Sequence, residues 1–360
     1  MVGGISRLPP AAGRAFNLIK PSMNTQKMLA VLVLLGMGAT ACSKKSSTGA
    51  GQEGNAAPAA TAGSPANGAA TTLAVRWTVG DHLTYRMDFD QHSTSKVPQL
   101  PKPLEQTVVL GLTYSIEVQK ETPGGGRELE LEFVTQEMDV TMGGQPVIAF
   151  DSKEKSKGDR QNPVAGPFRK TIGSRIRYQM ESSGKLAKIL NLDEWRNGVL
   201  EGASEQGKQI FLQTYNEGYL RQLVDYAYGM PGVGVREGDS WPVKLEVPSG
   251  PIGTVVLNMK STLRGAEERQ AYKCVRIEST GTMTSTGAMG IGPMANMKIE
   301  NGRLTGTSWF DPSAGMLVES GSSQTMRIRG GIPGGQGAEF TSDVSQKVTV
   351  ALAEYRAAKK

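Results

Sequence analysis

From Val108 to Val118 every second residue is apolar (Val108, Leu110, Leu112, Tyr114, Ile116, Val118), with Thr113, Ser115 and Glu117 between them. Side chains alternate across a strand, so this period of two fits one buried and one wet face and fits no helix. Gly124-Gly125-Gly126 turns the chain, and Leu129, Leu131 and Phe133 then alternate with Glu128, Glu130 and Glu132, completing a hairpin. The apolar phase moves next to Met138, Val140 and Met142, which predicts a bulge near residues 135–137. The same signature predicts strands over 83–89, 172–180, 185–190, 254–263, 272–283, 297–310, 316–328 and 341–350. The expected class is therefore mainly β with a minor helical segment (α+β): a large curved antiparallel sheet or an open barrel.

One stretch keeps a different period. Leu212, Tyr215, Tyr219, Leu223 and Tyr226 recur at steps of three and four, which predicts a helix over 204–228 that Gly229-Met230-Pro231-Gly232 stops. A shorter helix is expected over 193–202. Tyr215, Tyr219 and Tyr226, with Trp241 beyond them, are a candidate ligand or partner surface; the competing reading packs the stripe against the sheet. Gly80-Asp81 followed by Leu83, Tyr85, Met87 and Phe89 matches Gly238-Asp239 followed by Trp241, Val243, Leu245 and Val247 in apolar phase. Tyr178, Ser182-Ser183-Gly184 and Leu186 match Trp309, Ser313-Ala314-Gly315 and Leu317 at the same offsets. Two similar β halves, 73–190 and 233–350, are expected around a helical segment at 191–232, with 351–360 as a C-terminal tail.

The N-terminal region is of another kind. From Met23, Lys27 is a basic n-region, Met28 to Met37 an apolar run too short to span a bilayer, and Ala39-Thr40-Ala41 a small-residue cleavage site before Cys42. Met23 rather than Met1 fits as the start. This pattern resembles the lipobox of bacterial lipoproteins, with Ala39 where that family more often has Leu. The resemblance implies cleavage before Cys42, its lipidation and a membrane anchored through acyl chains, and Ser43 implies the outer membrane. Residues 43–72 are nearly all Gly, Ala, Ser, Thr, Pro and Asn, a composition that cannot bury enough apolar area to offset chain entropy. Such a tether of about 30 residues reaches roughly 30 Å.

Charge sharpens the exclusions. The formal charge of +6 includes Arg7, Arg14, Lys20 and Lys27; a chain starting at Cys42 has 36 basic against 34 acidic residues, or +2. That balance argues against nucleic acid or another polyanion. Two cysteines and two histidines among 360 residues leave no disulfide framework or zinc motif. His82 and His92 fall on the outward parity of their strand, with no Gly-x-Ser-x-Gly elbow, which disfavours a hydrolytic triad. Asp88-x-Asp90-x-His92 and Glu128, Glu130 and Glu132 read as solvated strand faces rather than metal ligands or paired catalytic carboxylates. Cys274 reads as a small filler. The glycine-rich stretches lack the following helix and Lys of a phosphate loop, so no cofactor is expected.

Val79-Gly80-Asp81 and Glu237-Gly238-Asp239-Ser240-Trp241 resemble lipid-anchored envelope proteins of unknown function, whose shared motifs are turns and strands rather than chemistry. The function expected is non-enzymatic binding of an apolar ligand or an envelope partner; the alternatives are an assembly scaffold and, third, a hydrolase of envelope polymers. Intact-mass measurement on membrane-extracted protein is expected to show an acylated Cys42 at the mature N-terminus, and Cys42→Ser to release the protein from the membrane fraction; an unmodified chain overturns the lipobox reading.

Overall fold

The computed structural model describes residues 69–98, 100–154, 165–227, 229–248, 253–286, 297–331 and 339–358. The alternating segments become strands Thr71–Thr72 (β1), His82–Lys96 (β2), Leu104–Glu121 (β3), Arg127–Met142 (β4), Gln145–Asp151 (β5), Arg175–Met180 (β6) and Leu186–Ile189 (β7). After the helices come Gly234–Val235 (β8), Ser240–Pro248 (β9), Thr254–Arg269 (β10), Tyr272–Thr286 (β11), Lys298–Asp311 (β12), Met316–Gly331 (β13) and Glu339–Arg356 (β14). Twelve of them form one antiparallel sheet in the order β7-β6-β4-β3-β2-β14-β13-β12-β11-β10-β9, with β5 beside β4; β7 and β9 do not pair, so the sheet is open rather than a barrel. Cys42, the leader and most of the tether lie outside the described residues.

The order follows from two meanders. The chain enters at β2, steps outward to β7, crosses through the helices to β9 and steps back to β13, after which β14 lies between β13 and β2. The halves at 73–190 and 233–350 thus share one sheet, and the Gly-Asp turns that open their meanders are built alike. Gly80 N–H donates to Val118 O at 2.8 Å and Val118 N–H to Asp81 O at 3.0 Å; Gly238 N–H donates to Leu263 O at 2.8 Å and Leu263 N–H to Asp239 O at 3.0 Å. Both glycines sit at positive φ, +90° and +88°.

Several expectations are corrected. The bulge in β4 is at Val134, between the pairs Tyr114↔Phe133 and Thr113↔Thr135, one residue before the expected interval. Residues 351–356 are not a tail: they extend β14 along β2, with Leu352 buried. Thr71 and Thr72, expected in the tether, pair with β8. The single helix expected over 204–228 is two, Glu205–Thr214 and Glu217–Gln222, because Asn216 interrupts it and caps the second by accepting Tyr219 N–H at 2.9 Å. Leu212, expected on the buried stripe, is exposed. The shorter helix is Leu192–Leu200, and Ala165–Thr171 is a helix that periodicity did not announce. In chain order these four are α1 (Ala165–Thr171), α2 (Leu192–Leu200), α3 (Glu205–Thr214) and α4 (Glu217–Gln222).

Burial divides the sheet into faces. In β2, Leu83, Tyr85, Met87 and Phe89 are buried, and Asp88, Asp90 and His92 are exposed. Helices α1 to α4 and the turn after them cover the first half of the inner face, where the rings of Phe133, Trp195, Phe168, Phe211 and Tyr215 pack against one another, some stacked and some tilted or edge-on. On the outer face, Arg175 bridges Glu130 and Glu132 at 2.8 Å, and Lys120 reaches Glu128 at 3.2 Å. That pairing accounts for the alternating glutamates as cross-strand ion pairs. A Cβ at Gly238 would meet nothing within 4 Å, so its substitution reports backbone strain alone. Gly238→Ala is expected to destabilise by about 1–2 kcal/mol in urea unfolding; an unchanged midpoint would mean that the positive φ is not required there.

Candidate functional site

The second half of the inner face is lined differently from the first. Cross-strand register sets Ser261 (β10), Ser279 (β11), Gly306 (β12) and Ser322 (β13) in one row, which continues through Val348 and Phe89 to Leu110. A neighbouring row runs Ile277, Ser308, Ser320, Val350, Met87 and Leu112. Side chains thus shrink to Ser and Gly over β10 to β13 in the first row and over β12 and β13 in the second, which ends at Ile277. Ser261 and Ser279 hydrogen-bond each other at 2.8 Å, and Ser308 and Ser320 at 3.0 Å, so these hydroxyls are satisfied within the wall.

Small side chains leave a trough, and the turn after α4 roofs it. The result is a half-enclosed cavity of about 170 Å³ between Gln222, Asp225, Tyr226 and Met230 above and the inner faces of β9 to β14 below. Its lining extends over six neighbouring strands, which a flat sheet would spread across about 24 Å, so the sheet curls around it. Trp241 Nε1 donates to Gly229 O at 2.7 Å and pins the roof to β9, while Tyr226 and Tyr114 join hydroxyls at 2.7 Å on the other side. Val243, Leu245, Met259, Ile277, Leu304 and Leu317 supply the apolar lining.

Asp225 is the one charged side chain of that lining. It is 7% exposed, and its Oδ1 has no hydrogen-bond partner. Burial pushes its carboxyl up to about 6, although the Leu186 N–H, Arg221 and Lys185 pull the other way; Glu181 adds to the rise.

The residues singled out in the sequence are dispersed. Tyr215, Tyr219 and Trp241 are buried in the core rather than presented as a surface: Tyr215 donates its hydroxyl to Gln136 Oε1 at 2.6 Å, and Tyr219 meets the Tyr215 ring edge-on. Tyr226 alone of the four lines the cavity. His92 is on the outer face, with Nε2 3.2 Å from Asp90 Oδ1, and Asp88 pairs there with Arg86. Cys274 is buried, and that burial, with Asp311 and Glu267 near, pushes its thiol up to about 11 and keeps it protonated. Among the described residues no group of three or more His, Cys, Asp or Glu is placed to hold a metal ion, and no helix is long and apolar enough to cross a membrane. Sequence reasoning missed Asp225 and the serine rows. The available signal was Ser320 and Ser322 standing at the parity of Met326 and Ile328 in β13.

Comparison with known proteins gives a family and distant likenesses. Residues 125–317 match the model of a family of unknown function, DUF6263. No curated protein matches the sequence. Among solved structures, the chain resembles lipovitellin at 11% identity and a TM-score of 0.40, over 79% of this chain and 26% of that one, so it spans about a quarter of lipovitellin. A Parabacteroides distasonis protein assigned as a lipoprotein aligns at 10% identity over 80% of this chain and 99% of its own, with a TM-score of 0.24. A Bacteroides fragilis protein assigned as exported, with a YmcC-like fold, aligns at 8% identity over 80% and 100%, with a TM-score of 0.23.

A carboxyl raised from 3.8 to about 6 holds its proton longer in the folded than in the unfolded chain, so stability falls as pH rises through that window. Asp225→Asn, which keeps an oxygen for Leu186 N–H, is expected to match the parent near pH 4 and to exceed it by roughly 2–3 kcal/mol near pH 7.5 in urea unfolding. Parallel stability profiles for the two proteins would refute the assignment.

Proposed function

Since the chain belongs to DUF6263, a family of unknown function, its role is read from its own cavity, and we propose that it is a lipid-anchored protein of the bacterial cell envelope that holds an apolar or amphipathic small molecule there. The anchor rests on Lys27, the apolar run from Met28 to Met37 and the small residues before Cys42. Ligand binding rests on the contrast between the halves: one inner face is filled by closely packed rings, whereas the other keeps an apolar, half-enclosed space. Apolar concavities with a few convergent polar groups are the usual form of small-molecule sites. A cavity of about 150 Å³ walled by aliphatic side chains is enough to admit benzene, so this one has room for a ring or part of an acyl chain.

The cavity wall offers one carboxyl group and no histidine. That set suits holding a ligand rather than activating a nucleophile.

Nile red, an uncharged apolar dye, is expected to bind the full chain with a rise in fluorescence. Ser279→Phe, which fills the serine row, is expected to weaken that binding about tenfold, or about 1.4 kcal/mol, while the circular dichroism of the sheet is unchanged. Native mass spectrometry of protein purified without detergent is expected to show retained mass. Dye binding that is equally tight in the Phe variant would place the ligand elsewhere.

A further inference from the structure

One step along the strands from the serine row, the inner face becomes polar without becoming exposed. Register places Gln324 (β13), Gln346 (β14) and Gln91 (β2) side by side, with Leu304 before them and Val108 after; in the following row Ser93 faces Gln106 of β3. Gln91, Ser93, Gln106 and Gln324 are all at least nine-tenths buried. Gln346 Nε2 donates to Gln91 Oε1 at 2.9 Å. The Nε2 of Gln91, both amide ends of Gln106 and of Gln324, and the hydroxyls of Ser93 and Ser322 have no partner.

A buried polar group left without a partner costs about 1–3 kcal/mol. Native interiors carry only a few per hundred residues, and each calls for a reason. Here seven such atoms lie on β2, β3 and β13, flanked at the same parity by Phe89, Val108, Met326 and Val344. A face selected for stability alone would have continued with Val or Leu. Ser322 and Leu304 belong both to the rows of this strip and to the cavity wall, so the strip borders the cavity.

We propose that the strip binds the polar part of an amphiphile whose apolar part lies in the cavity, and that this polar part is an uncharged group with both hydrogen-bond donors and acceptors. The proposal rests on the reading of the cavity as a ligand site. Each glutamine amide offers donors and an acceptor, which matches hydroxyl- or amide-bearing heads. A carboxylate or phosphate head would lose its hydration with no Lys or Arg in the strip or the cavity lining to replace it, and would approach Asp225.

The test compares two probes with the same dodecyl chain, dodecyl maltoside and laurate, each below its micelle concentration, by calorimetry on the full chain carrying Cys42→Ser. The maltoside is expected to bind at least about tenfold tighter than laurate. The pair Gln91→Leu and Gln324→Leu is expected to lose about tenfold in maltoside affinity, to keep Nile red affinity within about twofold, and to gain about 2–4 °C or more in thermal midpoint as unpartnered atoms are removed. Gln106→Leu is the independent variant if that pair does not fold, with the same expected loss. Laurate binding as tightly as the maltoside, or variants that keep maltoside affinity, overturns the strip alone. A parent chain that takes up no Nile red overturns the cavity reading and this inference with it.

Discussion

The antiparallel pairing of β2 with β14 holds the molecule together. These strands lie near the two ends of the described chain and run beside each other from His82↔Arg356 to Lys96↔Thr341. Without that seam the two meanders would be separate sheets, each with a further open edge. Its hold is reinforced at the first Gly-Asp turn, where buried Asp81 accepts Ala358 N–H at 3.0 Å and the Tyr355 hydroxyl at 3.2 Å. Tyr85 adds a tie across the seam by donating its hydroxyl to Leu317 O of β13 at 2.9 Å. Pairings of such long sequence separation cost much chain entropy before they contribute, so the centre of the sheet forms cooperatively with its flanks.

The seam also sets the boundary between two kinds of interior. On one side, helices bring rings onto Phe133 of β4; on the other, β10 to β13 carry serine and glycine on the inner face, and the glutamine strip crosses the seam from β13 to β3. Two meanders with matching turns therefore make an asymmetric protein, one half packed as a core and the other hollowed into a cavity with polar borders. The buried carboxyl of Asp225 and the glutamine strip are expensive features in the same region. Unpartnered buried polar atoms concentrated in one region call for an explanation that packing alone does not give.

Much of the architecture was legible because a period of two is a local property. Strand after strand was placed from alternation, the outward parity of Asp88, Asp90 and His92 was correct, and both Gly-Asp turns took the same hydrogen-bonded form. The strand ends were less legible. Alternation of apolar with polar residues fades after Phe89, yet β2 runs on to Lys96 because Gln91, Ser93 and Ser95 continue the buried parity with polar side chains. The tyrosine stripe misled for a related reason: a period of 3.6 does not register the break that Asn216 imposes by capping a new helix.

By itself the sequence determined the class of fold, the turns and the wet and buried parities, because each depends on spacing along the chain or on composition. Only the tertiary structure decided which strands are neighbours and where each helix lands. That is why Asp225, the serine row and the glutamine strip could not be assembled beforehand: their members come from α4's exit turn and from strands far apart in the chain. What places Gln91 next to Gln346 is cross-strand register, set by the whole sheet's hydrogen bonding rather than by any segment of it.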